Sequence, residues 1–190
     1  VKICTGLEAI INIFEKRNTI CSNCNKIYKA TCFKNIEFWE DLRNYEEDKL
    51  INVKVMKTMK RVMYVPKIGY NYETTEGSIT TSNLNIKYLN ILKTSKAVYE
   101  YTKMNIPMLV MYAAYDYCVH LAFCFNLCEK KRFGKNVRQQ ILAEYRKIYT
   151  SEKLKGYHFE NESKNRKLMM KLFNLNPVLC AKIFKGYVKI

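Results

Sequence analysis

Apolar residues recur at helical spacing near the start of the chain. They stand three or four positions apart, as one face of a helix requires: Leu7, Ile10, Ile11 and Phe14. Thr5 precedes them, and Glu8 follows it by three positions in the order of a capping box. The pattern predicts a first helix over about residues 6–17.

A second helix is predicted over about residues 46–60, beginning with the acidic run Glu46-Glu47-Asp48. At 100° per residue, apolar side chains share one face and lysines lie away from it: Ile51, Val55 and Met59 against Lys49, Lys54, Lys57 and Lys60. The same rotation points Asp48 toward the apolar face and Glu46 outward. By periodicity alone, an acidic first turn that complements the helix dipole explains these residues, and a general base is the alternative.

Two β-rich runs, residues 62–65 and 68–72, are separated by Pro66 and predict two short strands. Residues 20–29 lack the helical period and predict an extended segment, followed by a short helical turn at residues 30–35. From Ser82 onward the helical period dominates, and helices are predicted near residues 84–102, 108–128, 136–150, 161–174 and 177–187. The sequence therefore predicts an α/β fold with a few short strands at the front and a helical back.

The most apolar run, residues 108–128, is long enough to raise the question of a membrane span. Asp116, His120 and Asn126 interrupt it. Such side chains are costly inside a bilayer, so we expect a buried core helix instead. His120 lies four positions after Asp116, which predicts a pair across one helical turn.

The formal net charge is +16, and it is unevenly distributed. Residues 83–190 contain 20 Lys/Arg and 7 Asp/Glu, whereas residues 1–82 contain 13 and 10. Such a surface attracts nucleic acid or the anionic inner face of a membrane, although solvated faces of basic helices explain it equally. Among the eight cysteines only Cys21 and Cys24 have a zinc-like spacing, and no second pair matches it. Free thiols in a reducing cytoplasm are therefore predicted.

Four short motifs follow one another in the first half of the chain. They are Asn25-Lys26-Ile27-Tyr28-Lys29, Glu47-Asp48, Tyr70-Asn71-Tyr72 and Glu76-Gly77-Ser78-Ile79-Thr80. In this order and spacing, residues 5–82 resemble the C-terminal half of family 2 glycosyltransferases, which are inverting nucleotide-sugar transferases of the GT-A fold. The resemblance implies that residues 1–82 form the acceptor-side part of a GT-A domain. Residues 83–190 would then form a basic helical subdomain.

The resemblance also implies roles for individual residues. Asp48 is expected to be the general base that removes the proton from the acceptor hydroxyl, and Glu47 to orient the acceptor or the helix start. Further residues are expected to bind substrate or line the cleft: Asn25, Lys26, Arg43, Tyr45, Tyr72 and Ser78. An exposed lysine, a turn asparagine and ordinary turn chemistry remain the alternatives for Lys26, Asn25 and Ser78.

Two features of the family pattern are missing. Family members hold a divalent metal, Mg²⁺ or Mn²⁺, through an Asp-X-Asp that precedes the motifs above, and no Asp-X-Asp occurs in these 190 residues. Glu73-Thr74-Thr75 stands where the family often has arginine-rich chemistry. Since the first residue is Val1 and not methionine, we expect a piece of a longer protein. We expect this piece to bind no metal and to have no transferase activity by itself.

The resemblance implies that the parent protein is a hexosyltransferase-like enzyme. It would move a sugar from a nucleotide sugar to a hydroxyl of a glycan or lipid-linked acceptor in surface polysaccharide synthesis. We expect it in the cytoplasm, with its basic tail on the inner face of the cell membrane. The rival interpretation is a basic helical module that binds nucleic acid without catalysis, although no nucleic-acid motif supports it. A third interpretation is a non-catalytic scaffold protein.

Overall fold

The computed structural model describes residues 1–15, 21–38, 47–71, 73, 89–131 and 134–184. The chain divides into two compact units, Val1–Ile106 and Pro107–Ile190. The predicted boundary between residues 82 and 83 falls outside the described residues, and it stays a prediction.

The first unit combines a short β-ladder with helices. Strand β1 (Lys2–Cys4) pairs antiparallel with β2 (Val62–Tyr64), with Ile3 opposite Met63. The helices are α1 (Gly6–Phe14), α2 (Glu47–Lys57) and α3 (Ile91–Asn105), and a 3-10 helix spans Ala30–Phe33. Across the described residues of the whole chain, the β structure is limited to these two short strands in a mainly helical fold.

Helix α1 begins with the predicted capping box. The Thr5 hydroxyl accepts from the Glu8 backbone N–H at 3.2 Å, and the Thr5 N–H donates to the Glu8 carboxylate at 2.7 Å. Gly6 follows, and its N–H donates to the Met59 carbonyl at 3.1 Å. A Cβ at position 6 would lie 1.9 Å from the Met56 carbonyl oxygen, so the approach of α1 to the end of α2 requires glycine.

Helix α2 is the central helix of this unit. It packs against α1 and α3, and residues 21–28 are hydrogen-bonded over its first turns. Ile51 and Val55 are buried, as the apolar pattern predicts. The prediction of an outward Lys49 is wrong, because this residue is only 2% exposed. Other parts of this unit pack against several sides of α2 and not only against its apolar face. The spacing of apolar residues in the sequence does not predict such packing.

The second predicted strand is wrong at residues 68–71, which form neither helix nor strand. Pro66 lacks a backbone donor and follows β2 closely, and Ile68 is largely exposed. The strand that does pair with β2 is β1, which no local pattern predicts.

The second unit is built around α4 (Val110–Lys131), which follows a 3-10 turn at Pro107–Leu109. Helices α5 (Lys135–Ser151), α6 (Lys164–Leu175) and α7 (Pro177–Ile183) pack against it. By length and composition, Pro107–Lys131 could cross a membrane, but 72% of its most apolar window is buried inside the protein, as a core helix requires.

The core of the second unit joins aromatic rings and a polar pair. Phe173 packs edge-on against Phe125 and Tyr145, with ring centroids 5.4 and 4.7 Å apart. Asp116 and His120 are both buried, and the Asp116 carboxylate lies 3.7 Å from the His120 Nδ1. The predicted pair across one turn of α4 is therefore present.

Candidate functional site

The first turn of α2 carries the carboxylate of Asp48, which is half-buried. Asn23 binds this carboxylate twice. Its backbone N–H donates to one oxygen at 2.9 Å, and its side-chain amide donates to the other at 2.6 Å. These two bonds fix the orientation of the Asp48 carboxylate relative to residues 21–28. Glu47 begins α2 and is also half-buried.

One turn further along α2, the side chain of Asn52 is completely buried. Its amide nitrogen lies 2.8 Å from three acceptors, which share its two N–H donors: the Cys21 carbonyl, the Asn23 side-chain oxygen and the Asp48 carbonyl. Its side-chain oxygen accepts from the Tyr28 hydroxyl at 2.5 Å. Asn52 is thus the hub of a hydrogen-bond network, in which its one side chain joins residues 21–28 to α2.

Lys26 extends from the same segment and is half-buried. Its ammonium donates to the Ser22 carbonyl. Burial lowers the pKa of the Lys26 ammonium, and negative charge at Cys21 and Asp48 acts against that shift. Asn25 precedes it with a φ of 61°, in the left-handed region that asparagine tolerates better than most residues.

Two other ionisable groups lie close to Asp48. Burial, together with the charge of Asp48, raises the pKa of Tyr28 from 10 to about 12. Hydrogen bonds with Ser22 and Tyr70 lower the pKa of the partly exposed Cys24 thiol, against opposing effects of burial and the Asp48 charge. The segment of residues 21–28 therefore brings a carboxylate, an ammonium, a thiol and a phenol into one neighbourhood.

An open groove of about 1490 Å³ adjoins this neighbourhood. It lies between residues 25–29, the β-ladder, the end of α2 and residues 65–70. Six cationic side chains line it: Lys2, Lys26, Lys29, Lys60, Arg61 and Lys67. None of its lining residues in the described ranges is acidic, so the groove is suited to an anionic ligand.

The groove is also lined by exposed apolar residues. Ile3 and Met63 are directly paired across the ladder, and both are more than half exposed. Val65, Ile27 and Ile68 line the same groove and are exposed as well. Exposed apolar side chains grouped on a sheet are uncommon unless another surface covers them.

The predicted site residues are only partly brought together. Asn25 and Lys26 line the groove. Asp48 is not part of that lining but is linked to the same segment through Asn23. The other predicted substrate-binding residues lie outside the described residues: Arg43, Tyr45, Tyr72 and Ser78.

Sequence reasoning missed Asn23 and Asn52. A signal for Asn52 was available, because it lies four positions after Asp48 and therefore on the same helix face. Asn23 stands in a segment without regular secondary structure, where spacing carries no such information.

No group of three or more His, Cys, Asp or Glu side chains suited to a metal ion occurs among the described residues. None of the eight cysteines forms a disulfide, and all eight lie within the described ranges.

No protein-family model, no curated protein and no solved structure matches this chain in a comparison with known proteins.

Proposed function

We propose that this chain is the acceptor-side part of an inverting nucleotide-sugar transferase of the GT-A type, in which Asp48 is the general base. The observation that carries the proposal is the double hydrogen bond from Asn23, which holds the Asp48 carboxylate in one orientation. Inverting transfer needs one carboxylate aimed at the acceptor hydroxyl, and its efficiency depends on that aim. Asn23 is accordingly a positioning residue.

The groove supplies the second requirement, which is positive charge for the departing phosphates. Lys26 lines the groove and lies in the same segment as Asn23, which binds Asp48, so this segment links the proposed base to the cationic surface. We assign Asn25 and Lys26 a role in substrate binding, at the boundary between the acceptor site and the donor site. Glu47, at the start of α2, would orient the acceptor.

The donor-binding half would come from outside these 190 residues and would hold Mg²⁺ or Mn²⁺ through its Asp-X-Asp. The exposed apolar face around Ile3 and Met63 supports this division, because the helices that pack on the face of a GT-A sheet would cover it. The chemistry assigned to this chain's own residues is the orientation of the acceptor and the removal of its proton.

The test compares Asp48→Asn with Glu37→Gln in a polypeptide that includes the donor-binding half. Glu37 is exposed and does not line the groove, so its variant makes the same change in charge at another position. We expect Asp48→Asn to lower kcat by about a thousandfold while the Kd for the nucleotide sugar changes by less than about threefold. Glu37→Gln should retain wild-type turnover. A fully active Asp48→Asn enzyme would refute the assignment of the base.

The second candidate function is binding of single-stranded nucleic acid, which the groove itself favours. Its six cations match a phosphate backbone, and Tyr28, Tyr64 and Tyr70 in the lining could stack on bases. This function predicts an affinity for an oligonucleotide that falls steeply with salt and exceeds the affinity for a nucleotide sugar. Weak binding of the oligonucleotide at low salt would exclude it.

A further inference from the structure

Helix α6 turns an unusual face outward. At 100° per residue, Lys164, Leu168, Lys171 and Leu175 fall on one side, opposite the buried residues Met169, Met170 and Phe173. Leu168 is half exposed, and Leu175 is 82% exposed. A solvated helix normally turns polar residues outward, so these leucines require an explanation.

Helix α7 repeats the arrangement. Its buried side is formed by Cys180 and Ala181, whereas Val178, Leu179 and Ile183 are each about half exposed. Lys182 is exposed among them. The outward surface of α7 is therefore apolar with one cationic side chain.

Charge over this region has one sign. Residues 163–184 contain five Lys/Arg and no Asp or Glu. Helices α6 and α7 pack against each other and against α4, so the exposed faces are those directed away from the core of the second unit. We call the exposed side chains of Lys164, Leu168, Lys171, Leu175, Val178, Leu179, Lys182 and Ile183 the α6–α7 surface.

We propose that the α6–α7 surface binds an anionic lipid bilayer. Exposed leucine, valine and isoleucine would enter the boundary between headgroups and acyl chains, and the interleaved lysines would contact lipid phosphates. A nucleic acid would match the lysines but would leave the apolar side chains in water. A bilayer provides phosphates for the lysines and an apolar layer for the leucine, valine and isoleucine side chains. We therefore favour a bilayer over a nucleic acid as the partner of this surface.

Binding to vesicles of the full 190-residue chain tests the proposal. Phosphatidylcholine vesicles are compared with vesicles of equimolar phosphatidylcholine and phosphatidylglycerol, using co-sedimentation at low and high salt. We expect binding to the mixed vesicles, which weakens at high salt, and little binding to phosphatidylcholine alone. Absence of binding to the mixed vesicles, or equal binding to both kinds, would overturn the proposal.

Two sets of substitutions separate the contributions. Leu168→Ser, Leu175→Ser and Leu179→Ser combined should lower the vesicle partition coefficient by about 30-fold, because apolar surface no longer enters the bilayer. Lys171→Glu with Lys182→Glu should lower it by about tenfold or more. All five side chains are exposed, so the variants are expected to fold, and their unfolding midpoints check this.

The controls change exposed residues of the same unit outside the α6–α7 surface. Lys147→Glu with Lys155→Glu reverses two exposed charges, so the net charge changes as in the lysine variant, and Met108→Ser removes an exposed apolar side chain. Both should bind like the wild type. If the leucine variant also binds like the wild type, the apolar face is not the contact and the proposal fails. This test requires no transferase activity, so its outcome is independent of the proposed function.

Discussion

The hydroxyl of Tyr28 donates a hydrogen bond to the side-chain carbonyl of Asn52 across 24 residues of sequence. Asn52 is completely buried, and its amide also donates to the Cys21 carbonyl and to the Asn23 side chain. One side chain therefore fastens residues 21–28 over the first turns of α2. Through Asn23, it also sets the position of the Asp48 carboxylate.

Replacement of this hub should destabilise the first unit. We expect Asn52→Leu to lower the free energy of unfolding by about 2–4 kcal/mol, because several partly buried polar groups lose their partner together. Tyr28→Phe removes one hydrogen bond and should cost about 1 kcal/mol. Urea denaturation of both variants measures the difference. Equal costs for the two would contradict the central role of Asn52.

Gly6 provides a second test, in the packing of α1 against α2. A Cβ at position 6 would lie 1.9 Å from the Met56 carbonyl oxygen and 2.6 Å from that of Met59. Because backbone atoms cannot move aside cheaply, we expect Gly6→Ala to lower the free energy of unfolding by about 3 kcal/mol or more. Gly69→Ala is the control, since nothing lies within 4 Å of a Cβ there. A similar Tm for both variants would show that α1 can shift without cost.

The raised pKa of Tyr28 predicts a loss of stability in alkali. Its pKa is about 12 in the folded protein and 10 for a fully solvated tyrosine, so the folded protein keeps the phenolic proton longer than the unfolded chain. The corresponding stabilisation is complete below pH 10 and disappears as the pH rises from 10 to about 12. The free energy of unfolding should fall more steeply in this range for the wild type than for Tyr28→Phe. Parallel pH profiles in urea denaturation would contradict it.

Charge reversal in the groove tests its affinity for anions. Lys60→Glu with Arg61→Glu should weaken binding of inorganic pyrophosphate by about tenfold or more and flatten the dependence of affinity on salt. The control reverses Lys93 and Lys96, which are exposed on α3 outside the groove, so the net charge changes equally. Isothermal titration calorimetry measures both. If the two variants bind alike, overall charge and not the groove determines the affinity.

Local signals predicted the helices well, because their causes lie within a few residues of each other. The capping box of Thr5 and Glu8 marks the start of α1, and the apolar run around Asp116 and His120 gives the core helix α4. Pro177 likewise begins α7, where Asn176 accepts from the Leu179 N–H at 3.0 Å.

Features that depend on distant residues were not predictable in this way. Strand β1 forms by pairing with β2, with Lys2 opposite Tyr64. A segment of three residues contains no pattern that predicts this strand pairing. Lys49 is buried because several elements meet around α2, although its position in the helix favours an outward side chain. At the candidate site, Asp48 follows from the resemblance to a family motif. Its attachment to Asn23 comes from the fold of a segment without periodicity.

The partly exposed thiol of Cys24 gives the candidate site an intrinsic chemical reporter. Its pKa is lowered, whereas burial raises the pKa of Cys118 and Cys124, so an alkylating reagent should label Cys24 well before those two. Cys24 lies directly before Asn25 and Lys26 of the groove. The rate of its alkylation, followed by mass spectrometry, can therefore report occupancy of the groove without an engineered cysteine.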